Sequence, residues 1–310
     1  MTNTMDRLGR LLDDTYDTVS DGHAVEDGME HLIEGLWSLR RSCSASTWKS
    51  LQGQAQRHPL RDVLHDDPFT KWGFDKPRGY PGDAVLLDYT YGYGPFVEHT
   101  LAKATKVGQR VHSWLMTHSG AAGIRDRRRV LAHMIDATAF STPYPHVLSI
   151  ACGHLRESLL SQALQNGIIG RFVAMDQDEE SLKDVRQHHQ DGTVETIRCS
   201  VKELLLAPQD WGTFDFIYAA GLYDYLPASI AEVLVAVTFG MLNRRGRLLI
   251  SNAIDTVKDA GYMELYMDWW LVYRHPRELP TLLSRVPSDE IASIKQWDTP
   301  HFIFLETVRR

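Results

Sequence analysis

Asp176 closes the short apolar run Arg171-Phe172-Val173-Ala174-Met175 and stands 23 residues after Gly153. A carboxylate at a strand end can accept both hydrogen bonds of a ribose diol, which points to a nucleoside ligand; the same residue can instead cap a helix starting near Glu179. Gly153 sits in the turn Ala151-Cys152-Gly153-His154-Leu155, after a second apolar run beginning at His146. A residue without Cβ lets the backbone approach a ligand closely. The turn lacks G-x-G-x-x-G, which argues against a pyrophosphate cradle. Ser200 and Val201 follow the run Thr193–Arg198, where Ser200 can cap a short helix. Ala220, Gly221, Tyr223 and Asp224 follow the run Phe214–Ala220. There Asp224 has the chemistry of a general base and Tyr223 that of a pocket hydroxyl, while Leu226 packs in the core.

A second group lies at 260–274. At helical spacing Tyr262, Tyr266, Trp269 and Tyr273 share one face, and Met263, Met267 and Trp270 another. One face must pack on the core; the other can roof a site, where rings attract a cation. Arg274 can grip a carboxylate through a bidentate pair or settle on a helix C-terminus. The segment Asp75–Asp83 holds two prolines and two glycines, so it reads as a structured loop carrying Arg78 and Tyr80.

The elements that position these residues follow from periodicity. Residues 1–142 are mostly helical: Met29, Leu32, Ile33, Leu36 and Leu39 keep the amphipathic pattern, as do Val97, Leu101, Ala104, Val107, Val111 and Leu115, and a further helix is expected over Arg125–Ala139. Beyond Tyr144 strands and helices alternate: runs at 146–151, 171–176, 193–198, 214–220 and 247–251, with helices through Leu155–Leu164, Glu179–Gln190 and Ser229–Met241. Such alternation makes a mainly parallel sheet covered on both faces. Ile291–Trp297 and His301–Thr307 then form an antiparallel pair.

The chain has 310 residues, 43% hydrophobic and 24% charged, with net charge −7. This balance excludes a disordered or fibrous protein and argues against a general nucleic-acid binder. No run approaches the roughly 18 apolar residues of a membrane span, and the first residues carry no apolar leader, so the expectation is a cytoplasmic protein without stable membrane insertion. Three cysteines without C-x-x-C, and fourteen histidines without H-E-x-x-H, give no metal site. Cys152 is read as a small loop residue rather than a nucleophile, and Arg127-Arg128-Arg129 as a solvated face.

The stretch 144–308 resembles the class I S-adenosylmethionine (SAM)-dependent methyltransferases, on five alternating units closed by an antiparallel pair and on the residues just quoted. That resemblance implies a seven-stranded Rossmann-like α/β sheet over 143–310, with 1–142 as a helical lid or substrate region. It implies SAM as cofactor, held by Tyr80, Arg78, Ala151, Cys152, Gly153, Asp176, Gln177, Ser200, Val201, Ala220 and Gly221. Asp224, Tyr223 and Tyr262 would then be catalytic, and Tyr262, Tyr266, Trp269, Tyr273 and Arg274 would bind a small-molecule acceptor. The first loop departs from the family in keeping a single glycine, and Ser200 stands where an aspartate is common. Lys76–Asp83 and Asp268–Arg274 also resemble the bacterial group making 3-hydroxypalmitic acid methyl ester, which implies a carboxyl or hydroxyl of a lipid-like or secondary-metabolite acceptor. Two alternatives stay open: cyclisation of SAM to azetidine-2-carboxylate and methylthioadenosine in the same fold, and a non-catalytic binding protein.

Overall fold

The computed structural model describes residues 2–310. Among these, nine helices precede the first strand: α1 (Thr2–Val19), α2 (Val25–Ser42), α3 (Ala45–Arg57), α4 (Leu60–Leu64), α5 (Pro68–Asp75), α6 (Ala84–Tyr91), α7 (Pro95–Lys103), α8 (Lys106–Thr117) and α9 (Ser119–Ser141). Their starts are written in side chains. Ser44, Asp67, Asp83 and Thr105 each accept a backbone N–H of the following helix. The pattern from Val97 to Leu115 is therefore two helices, because Thr105 restarts the chain after Lys103.

Strands β1 (His146–Ile150), β2 (Arg171–Asp176), β3 (Val194–Arg198), β4 (Phe214–Ala219), β5 (Leu242–Ala253), β6 (Ile291–Asp298) and β7 (Phe302–Arg309) form one sheet in the order β3-β2-β1-β4-β5-β7-β6. The first five pair in parallel, and β7 runs antiparallel to both β5 and β6. The order reverses between β1 and β4, which opens a crevice at their carboxyl ends. Leu148, Val173, Ile217 and Leu249 are buried, as expected of strands covered on both faces. Between strands lie α10 (Gln162–Gln165), α11 (Glu179–His188), α12 (Val201–Leu206), α13 (Ala228–Gly240) and α14 (Ala260–Tyr266).

Two helices expected from periodicity are cut short. After β1, Leu155 takes a left-handed φ of 51° that no right-handed helix accommodates. A 3-10 turn over Arg156–Leu159 follows, and Ser161 caps the four-residue α10. Asp136 fixes that restart by accepting from the Ser161 hydroxyl and from the backbone N–H of Gln162 and Ala163. In the later segment α14 stops at Tyr266. Asp268 is left-handed at φ 46°, and Trp269 N–H turns back to the Met263 carbonyl at 2.9 Å, which ends the helix. The aromatic face drawn through Tyr262, Tyr266, Trp269 and Tyr273 does not exist, because the helix ends before Trp269.

The chain divides into two compact units: residues up to Arg125 together with Val257–Trp270, and Asp126–Thr256 together with Leu271–Arg310. Within the sheet unit Gly246 lies beside the register shift between β4 and β5. A Cβ there would stand 2.8 Å from the Asn243 carbonyl oxygen and 2.9 Å from that of Phe214. Gly246→Ala is expected to lower unfolding free energy by about 1–3 kcal/mol, the usual cost of overpacking, read from urea midpoints.

Candidate functional site

The carboxyl ends of β1 and β2 are tied together by Asp176. One carboxylate oxygen accepts Gly153 N–H at 2.8 Å and the other accepts Asp178 N–H at 2.8 Å. The residue is 5% exposed. Burial raises its pKa, opposed by those backbone N–H groups. Two bonds leave about half of a carboxylate's lone-pair positions for a ligand diol. Asp178, not Asp176, caps α11.

The first loop repays its missing glycines in conformation. Ala151, Gly153 and Leu155, alternate residues, take φ of 53°, 54° and 51°. Left-handed backbone costs a non-glycine residue roughly 1–2 kcal/mol, so this shape is imposed by its surroundings rather than by local preference. Ala151 and Gln177 are exposed at the strand ends. Cys152 has no regular helix behind it. Burial, then the Asp176 and Glu157 charges, push its thiol well above the ordinary range, which disfavours the thiolate a nucleophile needs. Glu157, buried, accepts the Tyr218 hydroxyl at 2.7 Å. This pair carries no period in the sequence; a glutamate in the loop after a buried strand was the available signal. Ser200 is consumed as the cap of α12, in a capping box with Glu203, leaving Val201 half-buried beside it.

Across β1 from Asp176 lies the loop after β4. Tyr223 is 1% exposed, so it packs in the core. Ala220 and Gly221 are half-buried, with the Ala220 carbonyl accepting the Ser251 hydroxyl at 2.8 Å. Asp224 is 3% exposed and accepts Ala253 N–H at 2.6 Å. Burial pushes its carboxyl up to about 6, opposed first by Arg127. Arg274 does not wait for a ligand: its guanidinium donates to the carbonyls of Tyr223 (2.7 Å) and Leu226 (2.6 Å) and to the Asn252 side chain. It locks the loop that carries Asp224. Arg127, read from sequence as solvated, is 7% exposed.

Tyr262 and Tyr266 are buried inside the helical unit; the Tyr262 hydroxyl meets Thr70 at 2.8 Å. Trp269 is buried beyond the helix stop, Tyr273 is half-buried in the sheet unit, and Arg78 and Tyr80 are half-buried in the 76–83 turn. Among the described residues no group of three His, Cys, Asp or Glu is placed to hold a metal ion, and no helix is long and apolar enough to cross a membrane.

The raised Asp224 carboxyl has a measurable consequence. Native Asp224 keeps its proton up to about pH 6, whereas an unfolded aspartate releases it near about pH 4. Between those values the native state binds more protons, so this group makes stability fall as pH rises. Asp224→Asn removes that slope. The variant should gain on wild type through this window and hold a constant difference above it, as urea midpoints at successive pH values will read.

No protein-family model matches the chain, and no curated protein matches it in sequence. Among solved structures, a possible exported protein from Bordetella parapertussis matches at 14% identity, over 87% of this chain and 98% of that one, with TM-score 0.54. The magnesium protoporphyrin IX methyltransferase ChlM from Synechocystis PCC 6803, with bound SAM, matches at 16% identity over 61% and 83%, with TM-score 0.44. The N-methyltransferase NodS from Bradyrhizobium japonicum WM9, in complex with S-adenosyl-L-homocysteine, matches at 14% identity over 72% and 99%, with TM-score 0.46. These likenesses concern the fold. With its order β3-β2-β1-β4-β5-β7-β6 and its antiparallel β7, the sheet unit has the class I methyltransferase fold.

Proposed function

We propose that the sheet unit binds SAM at its carboxyl edge and that the protein transfers the methyl group to a small organic acceptor. The observation that carries this reading is the reversal of strand order between β1 and β4 with Asp176 at the end of β2. The residues fit the cofactor: a buried carboxylate with acceptor capacity to spare faces a loop bent to left-handed backbone at three alternate positions. SAM supplies, when bound, an activated methyl on a sulfonium.

The chain's own residues then have limited work. Asp176 accepts the ribose hydroxyls and holds the Gly153 turn, and Ala151, Cys152, Gln177 and Val201 border the nucleoside. Ala220 and Gly221 flank the reacting end. A carboxylate acceptor is ionised at neutral pH and needs no base, whereas a hydroxyl acceptor would use Asp224. The resemblance of 76–83 and 268–274 to the 3-hydroxypalmitic acid methyl ester group supports a lipid-like carboxyl or hydroxyl acceptor. A cytoplasmic enzyme of this kind would draw both partners from solution.

Incubation of the purified protein with labelled SAM and cell extract, followed by mass spectrometry, tests the proposal. S-adenosylhomocysteine with a labelled acceptor is the expected result. Methylthioadenosine formed without acceptor would identify a SAM cyclase instead. Absence of binding to SAM and S-adenosylhomocysteine at millimolar concentration would leave a non-catalytic protein.

A further inference from the structure

Arg127 projects from α9 into the loop after β4. Its guanidinium lies 4.4 Å from the centre of the Phe302 ring. Its Nη1 is 3.6 Å from the Asp224 carboxylate, an ion pair beyond hydrogen-bond distance. The position a Gly221 Cβ would take is 3.7 Å from Nη2 and 3.9 Å from Nη1, so the fork faces backbone that lacks a side chain. Among the described residues Arg127 donates no hydrogen bond. Its five N–H donors are not sealed from solvent, which leaves them available to a ligand. Arg274, by contrast, is engaged by Tyr223, Leu226 and Asn252.

We infer that Arg127 is a ligand-binding residue whose planar fork receives a carboxylate at the crevice beside Gly221. This rests on the reading that the crevice holds SAM and an acceptor. The chemistry is that of a bidentate guanidinium–carboxylate pair, with Asp224 flanking one edge and Phe302 stacking on the plane. Two sources can supply the group: the amino-acid end of the cofactor, or an acceptor that is itself a carboxylic acid. Asp176 marks the nucleoside side of β1, and Arg127 reaches the opposite side, over β4 and β7, where either source arrives.

Calorimetry on the intact protein separates the possibilities. S-adenosylhomocysteine carries the carboxylate, methylthioadenosine is the same nucleoside without it, and decanoate added to the S-adenosylhomocysteine complex is a simple carboxylate acceptor probe. If the cofactor supplies the group, R127Q loses about 10–100-fold in affinity for S-adenosylhomocysteine and keeps that for methylthioadenosine. If the acceptor supplies it, both nucleosides bind R127Q as they bind wild type, and decanoate affinity falls at least about tenfold. R127K keeps the charge without the fork; it should show the same selective loss, and it serves as the comparison should R127Q not fold. The inference is overturned if neither carboxylate shows Arg127-dependent affinity, or if both nucleosides weaken equally, which is the mark of a structural role. If wild type binds neither nucleoside, the SAM reading has failed, and decanoate titration of the free protein judges Arg127 alone.

Discussion

Asp176→Ala is expected to weaken S-adenosylhomocysteine binding by about 100-fold or more. Two charge-assisted hydrogen bonds to ribose, each worth about 1.5–3 kcal/mol, account for that loss. The side chain has a second duty that deepens it. Its oxygens hold Gly153 N–H and Asp178 N–H, so alanine also releases the turn that must approach the nucleoside. Asp176→Asn keeps one acceptor oxygen and should fall between the two. Calorimetry reads the affinities, and a thermal melt without ligand separates the loop effect from the ligand effect. Wild-type affinity in Asp176→Ala would move the nucleoside away from β2 and end the proposed site map.

The largest stability effect belongs to Glu264 of α14. It is 1% exposed and accepts Arg40 Nε and Nη2 at 2.7 and 2.8 Å and the buried Trp48 Nε1 at 2.6 Å. All three residues belong to the helical unit. Glu264→Ala leaves the buried Trp48 donor without this acceptor and removes two bonds from the part-exposed Arg40, which costs about 2–4 kcal/mol. Glu264→Gln, with one acceptor oxygen, should lose less. An unfolding midpoint unchanged in the alanine variant would show that the buried pair contributes nothing to this unit.

Asp176, at the end of an apolar run and 23 residues beyond Gly153, was found by type and spacing because a strand end exposes its last carboxylate to the crevice. Asp224 was singled out by type in the loop after β4, and the fold buries it in the turn Tyr223–Tyr225. Ser200 was ambiguous between base contact and cap, and local hydrogen bonding decided for the cap. The aromatic stripe at 262–273 was misread because helical spacing says nothing about where a helix stops. Asp268, held by Lys76, Gln52 and Trp270, stops it. Arg127 was misread for the converse reason: three consecutive arginines look solvated in sequence, yet successive helix positions face different directions.

By itself the amino-acid order determined the alternating strands, the closing antiparallel pair and the carboxylate at the end of β2. Strands buried on both faces must be short apolar runs, and that requirement is local. Only the tertiary structure decided which charges are buried, that Arg274 is tied to the loop after β4 while Arg127 donates no hydrogen bond among the described residues, and that Ala151 and Leu155 adopt backbone normally left to glycine. Those outcomes depend on what distant segments bring to within a few ångströms, and no period along the chain records it.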